Sequence, residues 1–332
     1  MSPSWSFLLV DVLSFGVKAL VVAVVFAAVA VLVAGSFRRD RSRSERLEIQ
    51  GMNERYRDLA DAILFRTLGD KPMKKQLKAR KKAEKRDDRK RSTAFVLDYH
   101  GNMMASATES LREELSAVLG AATEGDEVVV RLESPGGVVP GYGLAASQLQ
   151  RVRARGLRLV VCIDKVAASG GYMMACVADE ILAAPFAVVG SIGVAAPTPN
   201  IHRLLRDHGI DYEDVTAGEY KRTVSLMGEV TEAGRQKYQE QLDEVHSLFK
   251  GFVRENRSGL DVDRVSTGEY WHGIRALELG LVDRLLTSDD YLIGLAEDMR
   301  VLKVTFHSAH GVVQRIGQMT SAMISRISPS VL

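Results

Sequence analysis

The sequence predicts an α/β domain, and three observations carry that expectation. Apolar, β-rich runs alternate with segments of helical apolar spacing between residues 94 and 196. Small residues follow the runs directly, in Ser134-Pro135-Gly136-Gly137, Ser169-Gly170-Gly171 and Gly190-Ser191-Ile192-Gly193. Alternation at this spacing builds a sheet through right-handed crossovers, and such sheets usually carry their site at the strand ends.

The chain opens on an apolar stretch. Ala19 to Phe37 holds no charge and is dominated by Val and Ala, which suits a helix crossing the hydrocarbon core. Phe7 to Val17 is also apolar apart from Asp11, and Trp5 suits an interfacial position. A cleaved signal peptide fits less well, because no Lys or Arg precedes Lys18 and the run is long. Residues 1–37 are therefore expected to be a transmembrane anchor. Arg38, Arg39, Arg41 and Arg43 follow it, and the positive-inside rule then places the rest of the chain in the cytoplasm.

Residues 38–92 read as a basic, polar tether. Glu54 to Asp61 has helical character, whereas Lys74 to Lys82 offers almost nothing to bury. Attraction to anionic lipid is the functional alternative for this segment. Nucleic acid is not an expected partner: the net charge is only +2, and no aromatic residues interleave the basic run to stack on bases.

The globular part is expected from about residue 93 to 300. Ala94 to Asp98 reads as a strand, Thr108 to Leu119 as a helix, and Glu127 to Glu133 as a strand ahead of the Ser134 turn. A second helix runs from about Tyr142 to Arg153, and another strand ends at Ile163. The apolar segment Ile181 to Ala196 is too short for a membrane span and is broken by Pro185. In the tail, 301–332, Val312, Val313, Ile316, Met319, Met323, Ile324 and Ile327 share one helical face. The two cysteines, Cys162 and Cys176, lie in apolar runs, so neither a disulfide framework nor a metal site is expected.

Ser169 is the residue that suggests chemistry. It sits between small residues at a strand-to-helix junction, with its oxygen near the positive end of the following helix. Gly170 lets an acyl group approach the backbone, and nearby amides could receive the oxyanion that forms. A helix cap is the plain reading of one such serine, and tight turns are the plain reading of each glycine loop. Three such loops together favour a site.

Several bases could activate Ser169. None of the seven histidines lies in a loop of this kind, although a triad is not excluded by spacing. A lysine amine also serves once burial and neighbours lower its pKa toward neutrality. Lys221, in Gly218-Glu219-Tyr220-Lys221-Arg222, is one candidate, and Lys165, four residues before Ser169, is its rival.

The stretches Leu132 to Gly137, Val166 to Tyr172, Gly190 to Val194 and Gly218 to Arg222 together resemble the signal peptide peptidase A family, in order, across about residues 94 to 295. That resemblance implies a ClpP/crotonase-like domain of repeated β-β-α units and a Ser/Lys dyad. Ser169 would be the nucleophile and Lys221 the general base. Ser191 would hydrogen-bond the lysine, and the amides of Gly136 and Gly170 would bind the oxyanion. Glu133 departs from the pattern, since many relatives carry Asn or Asp there. The family implies peptide substrates such as signal-peptide remnants, a bacterial inner membrane location, a homo-oligomer and no cofactor. Family habit places the protease domain in the periplasm, against the charge pattern. Gly137-Val138-Val139 and Val194-Ala195-Ala196 are expected to pair with an extended substrate. A crotonase-like acyl-CoA enzyme and a catalytically silent membrane scaffold are the alternatives.

Overall fold

The computed structural model describes residues 46–68 and 91–307. Glu48–Thr305 forms one compact unit. The expected span at residues 19–37, most of the basic run and the amphipathic face beyond His310 lie outside the described residues. Among the described residues, no helix is long and apolar enough to cross a membrane.

The strands are β1 (Arg46–Gly51), β2 (Thr93–His100), β3 (Glu127–Glu133), β4 (Arg158–Ile163), β5 (Val166–Ala168), β6 (Glu180–Ala183), β7 (Val188–Gly190), β8 (Tyr270–His272), β9 (Arg284–Leu285) and β10 (Arg300–His307). Among them run α1 (Met52–Leu68), α2 (Thr108–Ala121), α3 (Val139–Ala154), α4 (Gly170–Ala175), α5 (His202–Asp207), α6 (Glu232–Asn256), α7 (Val262–Val265), α8 (Gly273–Glu278) and α9 (Ser288–Asp298). Seven strands form the main sheet in the order β1-β10-β2-β3-β4-β6-β9, parallel from β10 to β9. A smaller sheet orders β5-β7-β8.

The central strands carry unbroken apolar runs, Ala94 to Leu97, Val128 to Val130 and Leu159 to Ile163, because both faces of a parallel sheet are covered. Leu97, Val130 and Val161 point into one core, with α2, α3 and α4; Val96, Val129 and Val160 point into the other. Each fully buried Val or Leu contributes roughly 1.5–3 kcal/mol. The two thiols are separated as well. Cys176 lies in the first core and Cys162 in the second, and both are free. Asp98 and Arg131 are direct partners across β2 and β3, joined by two hydrogen bonds, and Lys303 of β10 approaches the same carboxylate at 2.7 Å. Burial pushes the Asp98 carboxyl up, but these cations outweigh it and hold the pKa below the usual carboxylate range.

The α/β prediction holds, with two corrections. The compact unit begins well before residue 93. Met52 is buried, and Asn53 of α1 donates to Ala296 and Met299 carbonyls while accepting from Val301 N–H. Part of the expected tether is therefore packed structure, with β1 at the sheet edge and an Asn53 clamp that composition does not reveal. Likewise residues 301–307 are no tail: β10 pairs in parallel with β2. The β-β-α repeat is complete in β4-β5-α4, whereas after β3 the second strand shrinks to a single bridge between Ser134 and Ala167.

Candidate active site

Ser169 stands between β5 and α4 with φ 52° and ψ −119°. A side chain is rarely tolerated at such angles, and the strain persists only where surroundings fix it. They do so here. Ser169 N–H donates to the Gly190 carbonyl at 2.8 Å, and its own carbonyl accepts from Met173 N–H at 3.0 Å. All of α4 is buried, and the Tyr172 hydroxyl anchors it to the Leu281 carbonyl. Ser169 itself remains only half-buried, so its hydroxyl can be reached.

The Ser134 turn lies against this serine. Ser134 N–H donates to Val166 O at 2.8 Å, and Ala168 N–H donates to Ser134 O at 3.0 Å. Gly136 has φ +90°, and a Cβ there would fall 2.8 Å from Ser169 Cβ and 2.9 Å from Gly170 N. Only glycine suits both the angle and the approach. The Gly136 N–H, expected to face an oxyanion, donates to Ser134 Oγ at 3.1 Å. The Gly137 N–H takes no acceptor among the described residues.

Ser191 is brought alongside by strand register. Ala168 of β5 pairs with Gly190 of β7, so the two following serines emerge side by side. Ser191 has φ 53°, and its N–H donates to the Glu269 carbonyl at 2.7 Å.

Lys221 is not gathered into this arrangement. Residues 206–222 are all exposed, and among the described residues Lys221 makes only a backbone bond to the Gly218 carbonyl. Among the described residues, no hydrogen bond joins its amine to Ser169 or Ser191. The rival Lys165 is engaged elsewhere: its amine contacts both Glu133 oxygens, at 2.9 and 3.1 Å. Glu133, the departure from the family pattern, thus ties the end of β3 to the start of β5. No histidine among the described residues bonds Ser169; His100 sits 3.7 Å from Glu133, and His272 pairs with the Phe186 carbonyl. Of the expected substrate edges, Val139 already belongs to α3 and Val138 N–H is taken by the Met103 carbonyl. Helix formation therefore leaves Gly137 as the free edge there. The sequence reading also missed the Ser134 and Tyr142 hydroxyls, 2.6 Å apart beneath the turn. The serine in the Ser134-Pro135-Gly136-Gly137 motif was the available signal.

A hydroxyl raised on a strained strand-to-helix turn beside glycine amides is the apparatus of an acyl-transferring hydrolase. Comparison with known proteins specifies which kind. Residues 7–149 match Peptidase family S49 N-terminal and residues 151–302 match Peptidase family S49. "Probable protease SohB" of Haemophilus influenzae is 44% identical over 319 residues, covering 92% of this chain and 90% of that protein. "Probable protease SohB" of Buchnera aphidicola subsp. Acyrthosiphon pisum is 49% identical over 238 residues, covering 72% and 70%. A solved structure of the 1510-N membrane-bound stomatin-specific protease with a substrate peptide is similar at a TM-score of 0.40 and 14% identity, covering 62% of this chain and 80% of that one. The chain belongs to peptidase family S49, the signal peptide peptidase A family, and is a serine-type peptidase. The crotonase-like and silent-scaffold alternatives are thereby set aside.

Proposed function

We propose that this peptidase hydrolyses unfolded or membrane-derived peptides, such as signal-peptide remnants, through an acyl-enzyme on Ser169. The observation that carries this reading is the strained, accessible turn at Ser169, pressed against Gly136 and Gly170. Lys221 takes the Ser169 proton as the serine oxygen attacks the scissile carbonyl. The oxyanion falls to the Gly170 amide and to one amide of the Gly136–Gly137 turn. Gly136 serves only by leaving Ser134 Oγ, which favours its neighbour. Lys221 then protonates the leaving amine and draws a proton from the water that cleaves the ester. Ser191, beside the nucleophile, is the group that would hold the amine.

The exposed course of residues 206–222 supports a lysine that is seated by a second copy of the chain, in a homo-oligomer larger than a dimer. Val215 is 88% exposed and Ile210 54%, which suits a face covered on assembly. Residues 1–37 would anchor the assembly in a bacterial inner membrane. The arginines after that span favour a cytoplasmic protease domain over the periplasmic one of family habit.

Cleavage of an unfolded apolar reporter peptide by the full chain in detergent tests the dyad. Lys221→Ala should lose roughly 10⁴-fold or more in kcat, as removing a member of a catalytic unit does. Lys221→Arg should fail equally, since a guanidinium does not give up its proton near neutral pH. Lys165→Ala should retain most activity. An inactive Lys165→Ala beside an active Lys221→Ala would reassign the base.

A further inference from the structure

We infer that the buried hydroxyls of Ser134 and Tyr142 are positioning groups that aim the oxyanion-binding turn, an inference that rests on the acyl-enzyme reading above. Both residues are fully buried, at 0% exposure. The Tyr142 hydroxyl donates to the Asn102 carbonyl at 2.9 Å and lies 2.6 Å from Ser134 Oγ. A phenol has one proton, and Asn102 takes it. Ser134 must therefore donate to Tyr142, which leaves its lone pairs for the Gly136 N–H at 3.1 Å.

The result is a chain with one direction, from Gly136 N–H through Ser134 and Tyr142 to the Asn102 carbonyl. Each bond polarises the next in this buried, low-dielectric setting. Its first link fixes the Pro135–Gly136 peptide plane, and with Gly136 at φ +90° this biases where the following amide, that of Gly137, points. Both backbone groups of Ser134 are already tied to β5, so the turn is referenced to the strand that delivers Ser169. Tyr142 acts on the other donor too. Its ring supports Gly170, where a Cβ would lie 2.7 Å from ring Cδ2. One side chain on α3 thus sets the spacing between the turn and the residue after the nucleophile. A phenylalanine would fill the same space; the two hydroxyls add direction. Neither needs to touch substrate.

The test compares Tyr142→Phe, Ser134→Ala and the double variant in the full-length enzyme, with Ser169→Ala alongside. Each single change should lower kcat by roughly tenfold to a hundredfold, somewhat less than outright loss of an oxyanion donor, with KM within about twofold. The double variant should be no worse than the weaker single, because the hydroxyls act in series. A wild-type kcat in both singles, a KM effect without a kcat effect, or multiplying losses would overturn the inference. So would a kcat loss that vanishes on cooling in step with the folded fraction, which is what a merely structural role produces. If Tyr142→Phe fails to fold, Ser134→Ala gives the same readout. Ser169→Ala that still cleaves would overturn the acyl-enzyme reading itself, whereas an inactive Ser169→Ala beside an unimpaired Tyr142→Phe overturns this inference alone.

Discussion

Ser169 and Lys221 stand in segments of opposite character. The serine turn is surrounded: β5 in front, buried α4 behind, the Ser134 turn on one side and Ser191 on the other. Its strained angles hold because neighbouring backbone amides and carbonyls leave no alternative. The lysine segment has little of this. Residues 206–222 are exposed, and Lys221 is held by one backbone hydrogen bond. The difference teaches that one chain holds the Ser169 turn in place on its own, while among the described residues nothing seats the Lys221 side chain, so the proposed dyad calls for a further contact on the lysine segment.

The sharpest way to break that comparison is complementation. Ser169→Ala and Lys221→Ala are each expected to be inactive, and mixed oligomers of the two should regain cleavage if a neighbour's lysine completes the site. Mixtures that stay inactive while co-assembling, by light scattering, would place both residues in one chain. A smaller effect probes the rigid half. Gly170→Ala puts a Cβ into the Tyr142 ring, so unfolding should become easier by about 1–3 kcal/mol, the usual cost of overpacking. Activity should fall further than stability, because the displaced groups are the proposed oxyanion donors. Urea melts and kcat on the same preparation would show this, and a variant with full activity would mean that the ring does not set the turn.

The same contrast governs what was legible in the sequence. The three glycine-rich turns announced themselves because backbone approach and positive φ restrict residue type, and Ser169 and Ser191 stood inside them. Central strands were legible from unbroken Val and Leu runs, which only a doubly covered sheet explains. Residues 46–68 were not, since their attachment rests on an edge strand, Met52 and the Asn53 clamp within an otherwise polar stretch. Nor was the Gly136 amide's true acceptor. A hydrogen bond to a serine two residues back depends on the turn's angles, and the tyrosine that orients that serine lies in the next helix. The match between Lys221 and its family-like context is visible in sequence, but its distance from Ser169 depends on tertiary geometry that no local pattern encodes.

The most direct test of the central claim is covalent. Full-length enzyme treated with a serine-directed fluorophosphonate should gain one adduct, which peptide mass spectrometry places on Ser169. Ser169→Ala should remain unlabelled and should no longer cleave peptide, with its melting temperature retained. An adduct on another serine, or cleavage that survives in Ser169→Ala, would contradict the assignment of the nucleophile.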